Sequence, residues 1–172
     1  CLNARTGELF WNGSYKAKTH DNHGPGARAT PVIDDNRAYT FGRGGDLVCW
    51  NLHDGKILWR KRVGDIGGVE PDWGYSSSPL ITGNKVIIQA GGKVLAAAYD
   101  KITGEVLWTS GNGPGGYSPL NVFTADSSLL LFSGEALSGL NRETGVINWT
   151  LPWVVEYKIN AATPLSEGNI VF

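Results

Sequence analysis

The residues best suited to chemistry lie in two connections between apolar segments. The first, residues 64–76, contains two carboxylates and two aromatic rings: Glu70, Asp72, Trp73 and Tyr75. The second, residues 153–160, contains Glu156, Tyr157 and Asn160. Paired carboxylates beside aromatic rings can coordinate Ca²⁺ or bind a polar ligand. We expect both connections to face the same end of the fold and to form one candidate ligand site. The alternative is a solvated loop that Trp73 anchors.

Three other patterns give weaker indications. His20 and His23 have the spacing of a metal pair, but no third ligand is evident nearby, so solvated histidines are expected. Residues 111–116 match the Gly-x-Gly-x-x-Gly dinucleotide pattern, but a proline inside it and the lack of a following helix argue against phosphate binding. With only Cys1 and Cys49, no Cys–His arrangement can be assembled, nor can a Ser–His–Asp triad. We therefore predict no catalytic and no metal-ligating residues.

Composition restricts the fold and the partners. The chain has 172 residues, 18% of them charged, and a formal net charge of −1, which argues against an electrostatic nucleic-acid binder. No apolar run reaches the about 18 residues that a membrane-spanning helix needs. The 24 glycines and 8 prolines leave almost no room for helices of ordinary length. These features predict an all-β protein.

A repeat covers the whole chain. Four segments of the same length align without gaps: Cys1–Trp11, Cys49–Trp59, Ala98–Trp108 and Gly139–Trp149. Each segment has glycine at its seventh position (Gly7, Gly55, Gly104, Gly145) and tryptophan at its last (Trp11, Trp59, Trp108, Trp149). The glycine suits a turn that needs a positive φ, and the tryptophan offers a large ring to bury. We therefore assign these eight residues to the scaffold, with each ring packed between adjacent sheets.

Each repeat unit is expected to form four short antiparallel strands, the unit of a β-propeller blade. Residues 1–172 then make a single partial propeller with about four blades' worth of sequence. The predicted parts are an outer half-blade over 1–15, blades over 29–63, 77–110 and 117–151, and an inner half-blade over 161–172. The chain is either part of a longer one, or its half-blades complete each other, within one chain or between two copies.

The repeated segment resembles the tryptophan-docking motif of PQQ-like, quinoprotein-type β-propellers, Ala-x-Asp-x-x-Thr-Gly-x-x-x-Trp. Ala98–Trp108 matches it at every defined position. The resemblance implies a ring of seven or eight blades, usually exported to the bacterial periplasm or cell surface. It also implies partners: the remaining blades or a second copy, and other proteins at the loop rim.

The resemblance allows two functions, because the family contains both pyrroloquinoline-quinone dehydrogenases and non-catalytic members such as the outer-membrane assembly lipoprotein. The enzymes commonly have adjacent cysteines beside the quinone, and this chain has no Cys-Cys pair. We therefore favour a non-catalytic binding or scaffold module without a cofactor. The alternative is an alcohol or sugar dehydrogenase that depends on pyrroloquinoline quinone and Ca²⁺.

Overall fold

The computed structural model describes residues 1–17, 26–123, 125–126 and 128–172, so His20 and His23 lie outside the described residues. Within these ranges the chain forms short strands and two single turns of 3₁₀-helix, Val63–Ile66 and Glu156–Lys158. The predicted all-β class is confirmed. Neither helical turn in the described part of the chain is long or apolar enough to cross a membrane.

Three antiparallel sheets of four strands each follow one another along the chain, and we call them blades 1, 2 and 3. Blade 1 contains β1 (Val32–Asp34), β2 (Arg37–Phe41), β3 (Asp46–Asn51) and β4 (Ile57–Arg62). Blade 2 contains β5 (Leu80–Thr82), β6 (Lys85–Gln89), β7 (Ala96–Asp100) and β8 (Val106–Ser110). Blade 3 contains β9 (Asn121–Val122), β10 (Leu129–Phe132), β11 (Ala136–Leu140) and β12 (Ile147–Pro152). In each blade the strands pair in chain order, as a propeller blade requires.

Two smaller hairpins flank the blades. The C-terminal hairpin consists of β13 (Ser166–Glu167) and β14 (Ile170–Val171), which pair only with each other among the described residues. The N-terminal hairpin, Cys1–Trp11, has one bridge between Leu2 and Leu9, and its Phe10 N–H donates to the Cys1 carbonyl at 3.0 Å. Both hairpins carry unpaired strand edges within the described part of the chain.

The turn of each repeated segment follows from its sequence. In blade 2 the Asp100 carboxylate accepts hydrogen bonds from the backbone N–H groups of Ile102 at 2.8 Å and Thr103 at 2.9 Å. The bond from Thr103 is the main cause that lowers the pKa of Asp100 below its ordinary value. Gly104 follows with φ +72°, a conformation that a residue with a Cβ adopts only at a cost. Asn141 forms the same pair of bonds in blade 3.

The motif tryptophans join consecutive units. The indole N–H groups of the first three donate to the backbone carbonyl of the fourth residue in the next motif, in the pairs Trp11–Leu52 (2.7 Å), Trp59–Lys101 (3.2 Å) and Trp108–Arg142 (3.3 Å). The ring also covers the glycine of that next motif. A Cβ built on Gly104 would lie 2.8 Å from the Trp59 ring, and one on Gly145 would lie 2.5 Å from Trp108. Glycine is thus needed here both for φ and for space.

Trp149 departs from the expectation that every motif ring is packed between sheets. Its exposed fraction is 38%, against 8% for both Trp59 and Trp108. The physical reason is the sheet that follows it. Among the described residues, the C-terminal hairpin has two strands and brings no motif glycine over the Trp149 ring, so part of the indole remains exposed.

The core lies between the blades rather than inside any one of them. One cluster joins blades 1 and 2 and includes Tyr39, Leu47 and Ile88, and a second joins blades 2 and 3 and includes Ile87 and Leu129. All five residues of β6 are buried, since a blade lies against each of its faces. Blade stacking therefore supplies the apolar burial that a single four-stranded sheet lacks.

Candidate functional site

The candidate site lies where the connections between blades approach one another. Three connections, residues 64–76, 111–117 and 153–160, follow the last strand of a blade, and a fourth, residues 91–93, joins β6 to β7 inside blade 2. Together they form one end of the fold, which we call the rim. Gly92 and Gly113 exchange backbone hydrogen bonds at 2.7 and 2.9 Å, and the Val69 N–H donates to the Gly91 carbonyl at 3.1 Å. The Tyr117 N–H donates to the Asn160 carbonyl at 2.9 Å. Backbone bonds thus hold segments from three units together.

Glycines permit this close approach. A Cβ on Gly91 would lie 2.7 Å from the Gly115 nitrogen, and one on Gly92 would lie 2.8 Å from the Gly67 carbonyl oxygen. Both glycines also have a positive φ. The Gly-x-Gly-x-x-Gly pattern of residues 111–116 belongs to the same network, because one of its glycines pairs with Gly92. The pattern therefore has a structural explanation at the rim.

A buried amide fixes the inner part of the rim. The Gln89 side chain accepts a hydrogen bond from the Gly116 N–H and donates to the carbonyls of Ser118 at 3.1 Å and Phe132 at 3.3 Å. Gln89 itself is buried. It links blade 2 to the connection before blade 3 and to the strand β10, so the rim has a rigid floor.

An open cavity of about 460 Å³ lies on this floor. Its functional lining comes from the connections on both sides of blades 2 and 3: Glu70, Asp72, Tyr117, Tyr157 and Lys158. Three residues that the sequence placed in one site, Glu70, Asp72 and Tyr157, therefore line one cavity. Apolar walls come from Val69, Pro71 and Pro114.

Aromatic rings form one side of the rim. The Trp73 ring lies 5.9 Å from the Tyr117 ring and 6.3 Å from the Tyr157 ring, in both cases edge to face. Tyr157 is exposed, and its backbone and that of Lys158 have φ values of +58° and +57°. Such a conformation costs about 1–3 kcal/mol for a non-glycine residue and is characteristic of functional loops. The Tyr157 ring is thus held out at the cavity mouth.

A second cavity of about 370 Å³ lies on the other side of this aromatic group, lined by Arg28, Trp73, Ser76, Tyr117 and Ile159. The Arg28 guanidinium donates to the Trp73 carbonyl, and the Arg43 Nε donates to the same oxygen at 3.4 Å. Trp73 and Tyr117 thus separate two neighbouring cavities, and the arginines fix the backbone of the loop that carries Trp73.

The charge of the first cavity is negative. Its one basic group, Lys158, pairs with Glu135 at 2.6 Å between Nζ and Oε1. Within the described residues neither Glu70 nor Asp72 forms an ion pair. Burial is the main cause that raises the pKa of the Tyr117 phenol, and the nearby Asp72 carboxylate raises it further. Tyr117 therefore stays protonated at neutral pH and faces the cavity as a neutral ring.

Three of the residues predicted for this site lie elsewhere. Tyr75 is buried in the core, and its hydroxyl donates to the Ala90 carbonyl at 2.6 Å. Asn160 is also buried, and its side-chain amide donates to the carbonyls of Ser133 at 2.7 Å and Trp153 at 3.1 Å. Glu156 is exposed but does not line either rim cavity. Tyr75 and Asn160 therefore support the rim, but their side chains line neither cavity.

Tyr117 and Arg28 are among the lining residues that were absent from the predicted site. Tyr117 follows a short connection, whereas the predicted site residues lie in longer ones. The sequence feature that indicates a rim position for Tyr117 is the Ser118-Pro119 pair directly after it, because this pair starts a new unit. Arg28 carries no comparable signal, because only the fold brings it to Trp73 across 45 residues.

The residues present do not fit a calcium–quinone centre by themselves. Ca²⁺ takes about 6–8 oxygen ligands, and the cavity offers two carboxylates. Across the described ranges, no three His, Cys, Asp or Glu side chains come together as metal ligands. Cys1 is exposed and Cys49 is buried in blade 1, so neither faces the cavity. We therefore derive no catalytic step from this site.

The stacked blades, their tryptophan-on-glycine contacts and the open rim define a partial β-propeller of the PQQ-like type. The family model described as outer membrane protein assembly factor BamB matches residues 1–171. The chain belongs to this family. No curated protein sequence matches it significantly.

Solved structures agree on the fold. The chain is 18% identical to BamB from Moraxella catarrhalis, with a TM-score of 0.57 over 79% of this chain and 41% of that one. It is 16% identical to the quinohemoprotein alcohol dehydrogenase from Comamonas testosteroni, with a TM-score of 0.58 over 73% of this chain and 27% of that one. The computationally designed Ika8 protein gives a TM-score of 0.59 at 14% identity, over 99% of this chain and 47% of that one. The chain thus spans less than half the length of each of these proteins.

Proposed function

We propose that this chain is a non-catalytic binding module whose rim cavity binds a basic segment of a partner protein. The observation that carries the proposal is the cavity in which Glu70, Asp72 and Tyr157 meet, with Tyr117 beside them. Two carboxylates without a cationic partner among the described residues suit a lysine or arginine side chain. Aromatic rings at the same mouth suit it further, because a cation over a ring gains about 0.5–2 kcal/mol.

The rigidity of the rim supports binding rather than a solvated loop. Backbone bonds between Gly92 and Gly113 and the buried amide of Gln89 hold the cavity floor before any ligand arrives. A site that is already ordered loses less conformational entropy on binding. The cavity is therefore suited to recognition by shape and charge.

The wider context follows from the family. Its described role, outer membrane protein assembly, supports a location in the bacterial periplasm or at the cell surface. The candidate partners are the remaining blades of a propeller or a second copy of this chain, together with other proteins at the rim. No cofactor is needed for such a role.

A dehydrogenase dependent on pyrroloquinoline quinone and Ca²⁺ is the second candidate, because the chain resembles the alcohol dehydrogenase and BamB equally well in fold. In that case Glu70 and Asp72 supply only part of the ligand set. The other ligands come from blades outside this chain.

The test of the binding proposal is a titration with defined peptides. We would measure, by calorimetry, the binding of a Gly-Ser peptide that carries two lysines and of a matched peptide that carries two glutamates. We expect the lysine peptide to bind more tightly, and Glu70→Gln with Asp72→Asn to weaken it at least about tenfold, or about 1.4 kcal/mol.

The matched control is Asp54→Asn with Glu105→Gln, which removes the same charge from exposed turns at the opposite end of the blades. An equal loss in both double variants would mean that the effect is long-range electrostatics. Equal binding of the two peptides, or no binding of either, would contradict a cationic ligand at the rim.

A further inference from the structure

One basic side chain lies among the acidic groups of the first rim cavity. Lys158 lines this cavity together with Glu70 and Asp72, which we call the cavity carboxylates. In the described part of the chain, its ion pair is with a different residue. The Lys158 Nζ lies 2.6 Å from Oε1 of Glu135, which is not one of the described lining residues. Lys158 therefore lies between two sets of carboxylates and contacts the one outside the cavity.

Glu135 belongs to blade 3 and has a fixed backbone. It lies in the turn between β10 and β11. Its N–H donates to the Ser133 Oγ at 3.4 Å, and its carbonyl accepts a hydrogen bond from the Trp153 N–H at 2.8 Å. The neighbouring Gly134 N–H donates to the Pro114 carbonyl at 3.0 Å. These bonds fix the point from which the Glu135 carboxylate reaches Lys158.

Lys158, by contrast, lies in a strained turn. Tyr157 and Lys158 are consecutive residues with φ values of +58° and +57°, in the left-handed region that side chains with a Cβ disfavour. The Lys158 N–H donates to the Val155 carbonyl at 3.0 Å, and a Cβ built on Gly134 would lie 3.1 Å from the Lys158 Cβ. Strained backbone persists only where surrounding contacts hold it. The ion pair with Glu135 is one of the contacts that hold this turn.

We propose that Lys158 is an internal competitor for the cation site and that Glu135 holds it away from that site. In the open state, which is the state described above, Lys158 pairs with Glu135 and the cavity carboxylates are accessible to a cation of the partner. In the closed state, Lys158 turns into the cavity and pairs with a cavity carboxylate. The inference rests on the proposed function, because an internal cation competes only with a cationic ligand.

Three features favour exchange between the two states. The side chains of Lys158 and Glu135 are 51% and 47% exposed, and an exposed ion pair adds little stability. The cavity carboxylates attract the same ammonium group, and a turn that leaves the left-handed region loses its backbone strain. The apparent affinity for a ligand falls in proportion to the fraction of molecules in the open state. The contact between Lys158 and Glu135 therefore sets the affinity of the rim for its partner.

A double-mutant cycle on peptide binding tests the competition. We expect Glu135→Gln to raise the dissociation constant of the lysine peptide at least about threefold, because it lowers the fraction of open molecules. Lys158→Met should lower that constant, because it removes the competing charge. In the Lys158→Met background, Glu135→Gln should have no further effect. An equal loss of affinity in both backgrounds would overturn the inference, since it would mean that Glu135 attracts the peptide directly.

A measurement without ligand separates this inference from the proposed function. A carbodiimide joins a lysine amine to a carboxylate that it contacts, and mass spectrometry of the digested chain identifies the joined pair. The unmodified chain should give mainly the product between Lys158 and Glu135, which also shows that Lys158 reacts. In Glu135→Gln we expect Lys158 to be joined to a cavity carboxylate instead.

The two measurements have distinct negative results. If Glu135→Gln gives no product between Lys158 and a cavity carboxylate, Lys158 does not enter the cavity and the inference is overturned, whatever the peptides do. If that product forms but the lysine peptide binds neither the unmodified chain nor Lys158→Met, the closed contact is confirmed and the proposed function is overturned.

Discussion

Gly104→Ala tests the contact that we hold responsible for stacking the blades. Gly104 lies in the motif turn of blade 2 with φ +72°, and the Trp59 ring of blade 1 lies directly over it. The substitution adds one methyl group at the junction of two blades. It leaves every hydrogen-bonding group of the turn in place.

The expected cost has two parts. A residue with a Cβ in the left-handed region costs about 1–2 kcal/mol. The new Cβ would lie 2.8 Å from Cδ2 of Trp59, closer than carbon atoms approach, so the ring must move in a packed junction. Such overpacking costs about 1–3 kcal/mol. We therefore expect Gly104→Ala to lower the free energy of unfolding by about 2–5 kcal/mol in total.

Gly83→Ala is the matched control, because Gly83 lies in another turn of the same blade with φ +58° and no atom within 4 Å of a built Cβ. It should cost only the backbone term of about 1–2 kcal/mol. The assay is urea denaturation followed by far-ultraviolet circular dichroism and tryptophan fluorescence. Equal losses in the two variants would refute the contact between ring and glycine as the feature that joins the blades.

Three further predictions concern single side chains. Trp108→Ala should lower the free energy of unfolding by about 3–5 kcal/mol. Ile102→Ala, at an exposed turn, should lower it by under about 0.5 kcal/mol. Similar losses of unfolding free energy in urea denaturation would contradict the assignment of Trp108 to the core. Gln89→Leu should cost at least about 2 kcal/mol, because it leaves the Gly116 N–H and two carbonyls at the rim without their amide partner; an unchanged urea midpoint would contradict this role. Asp100→Asn should leave stability at pH 7 nearly unchanged, because an asparagine oxygen accepts the same two turn bonds in blade 3, at Asn141, but it should reduce the loss of stability on acidification. The pKa of Asp100 is lowered in the native state, so the carboxylate stabilises the fold above about pH 4. This stabilisation is lost as the pH falls through the native pKa. Parallel profiles of stability against pH in the two proteins would show that the Asp100 carboxylate contributes nothing.

The fold was predictable because the repeat ties local structure to packing. Gly104 at the seventh motif position needs a turn conformation that glycine adopts readily, and Trp108 at the eleventh needs a flat surface to cover. Both requirements can be seen in one short segment. Trp149 shows the limit of that inference, because its burial depends on a sheet that follows it and not on its own segment.

The site was predictable only in part, since loops have no periodicity that tells which side chain faces inward. Glu70, Asp72 and Tyr157 were placed at the rim because they lie in long connections between units. Tyr75, which was predicted for the site, is buried away from it, and Tyr117, which was not, lines it. The hydroxyl of Tyr75 reaches a buried carbonyl, while Tyr117 faces both cavities. That choice is made by the approach of the neighbouring blade, which the sequence of the loop does not encode.

The central claim is that the rim binds a cationic group and does not form a quinone centre. Calorimetric titration of the chain with pyrroloquinoline quinone and Ca²⁺, beside the lysine peptide, tests this most directly. We predict no micromolar quinone binding, because two carboxylates leave most of the calcium ligand sphere unfilled. Stoichiometric quinone binding at micromolar or tighter affinity, lost in Glu70→Gln or Asp72→Asn, would contradict the account and assign the chain to the dehydrogenases.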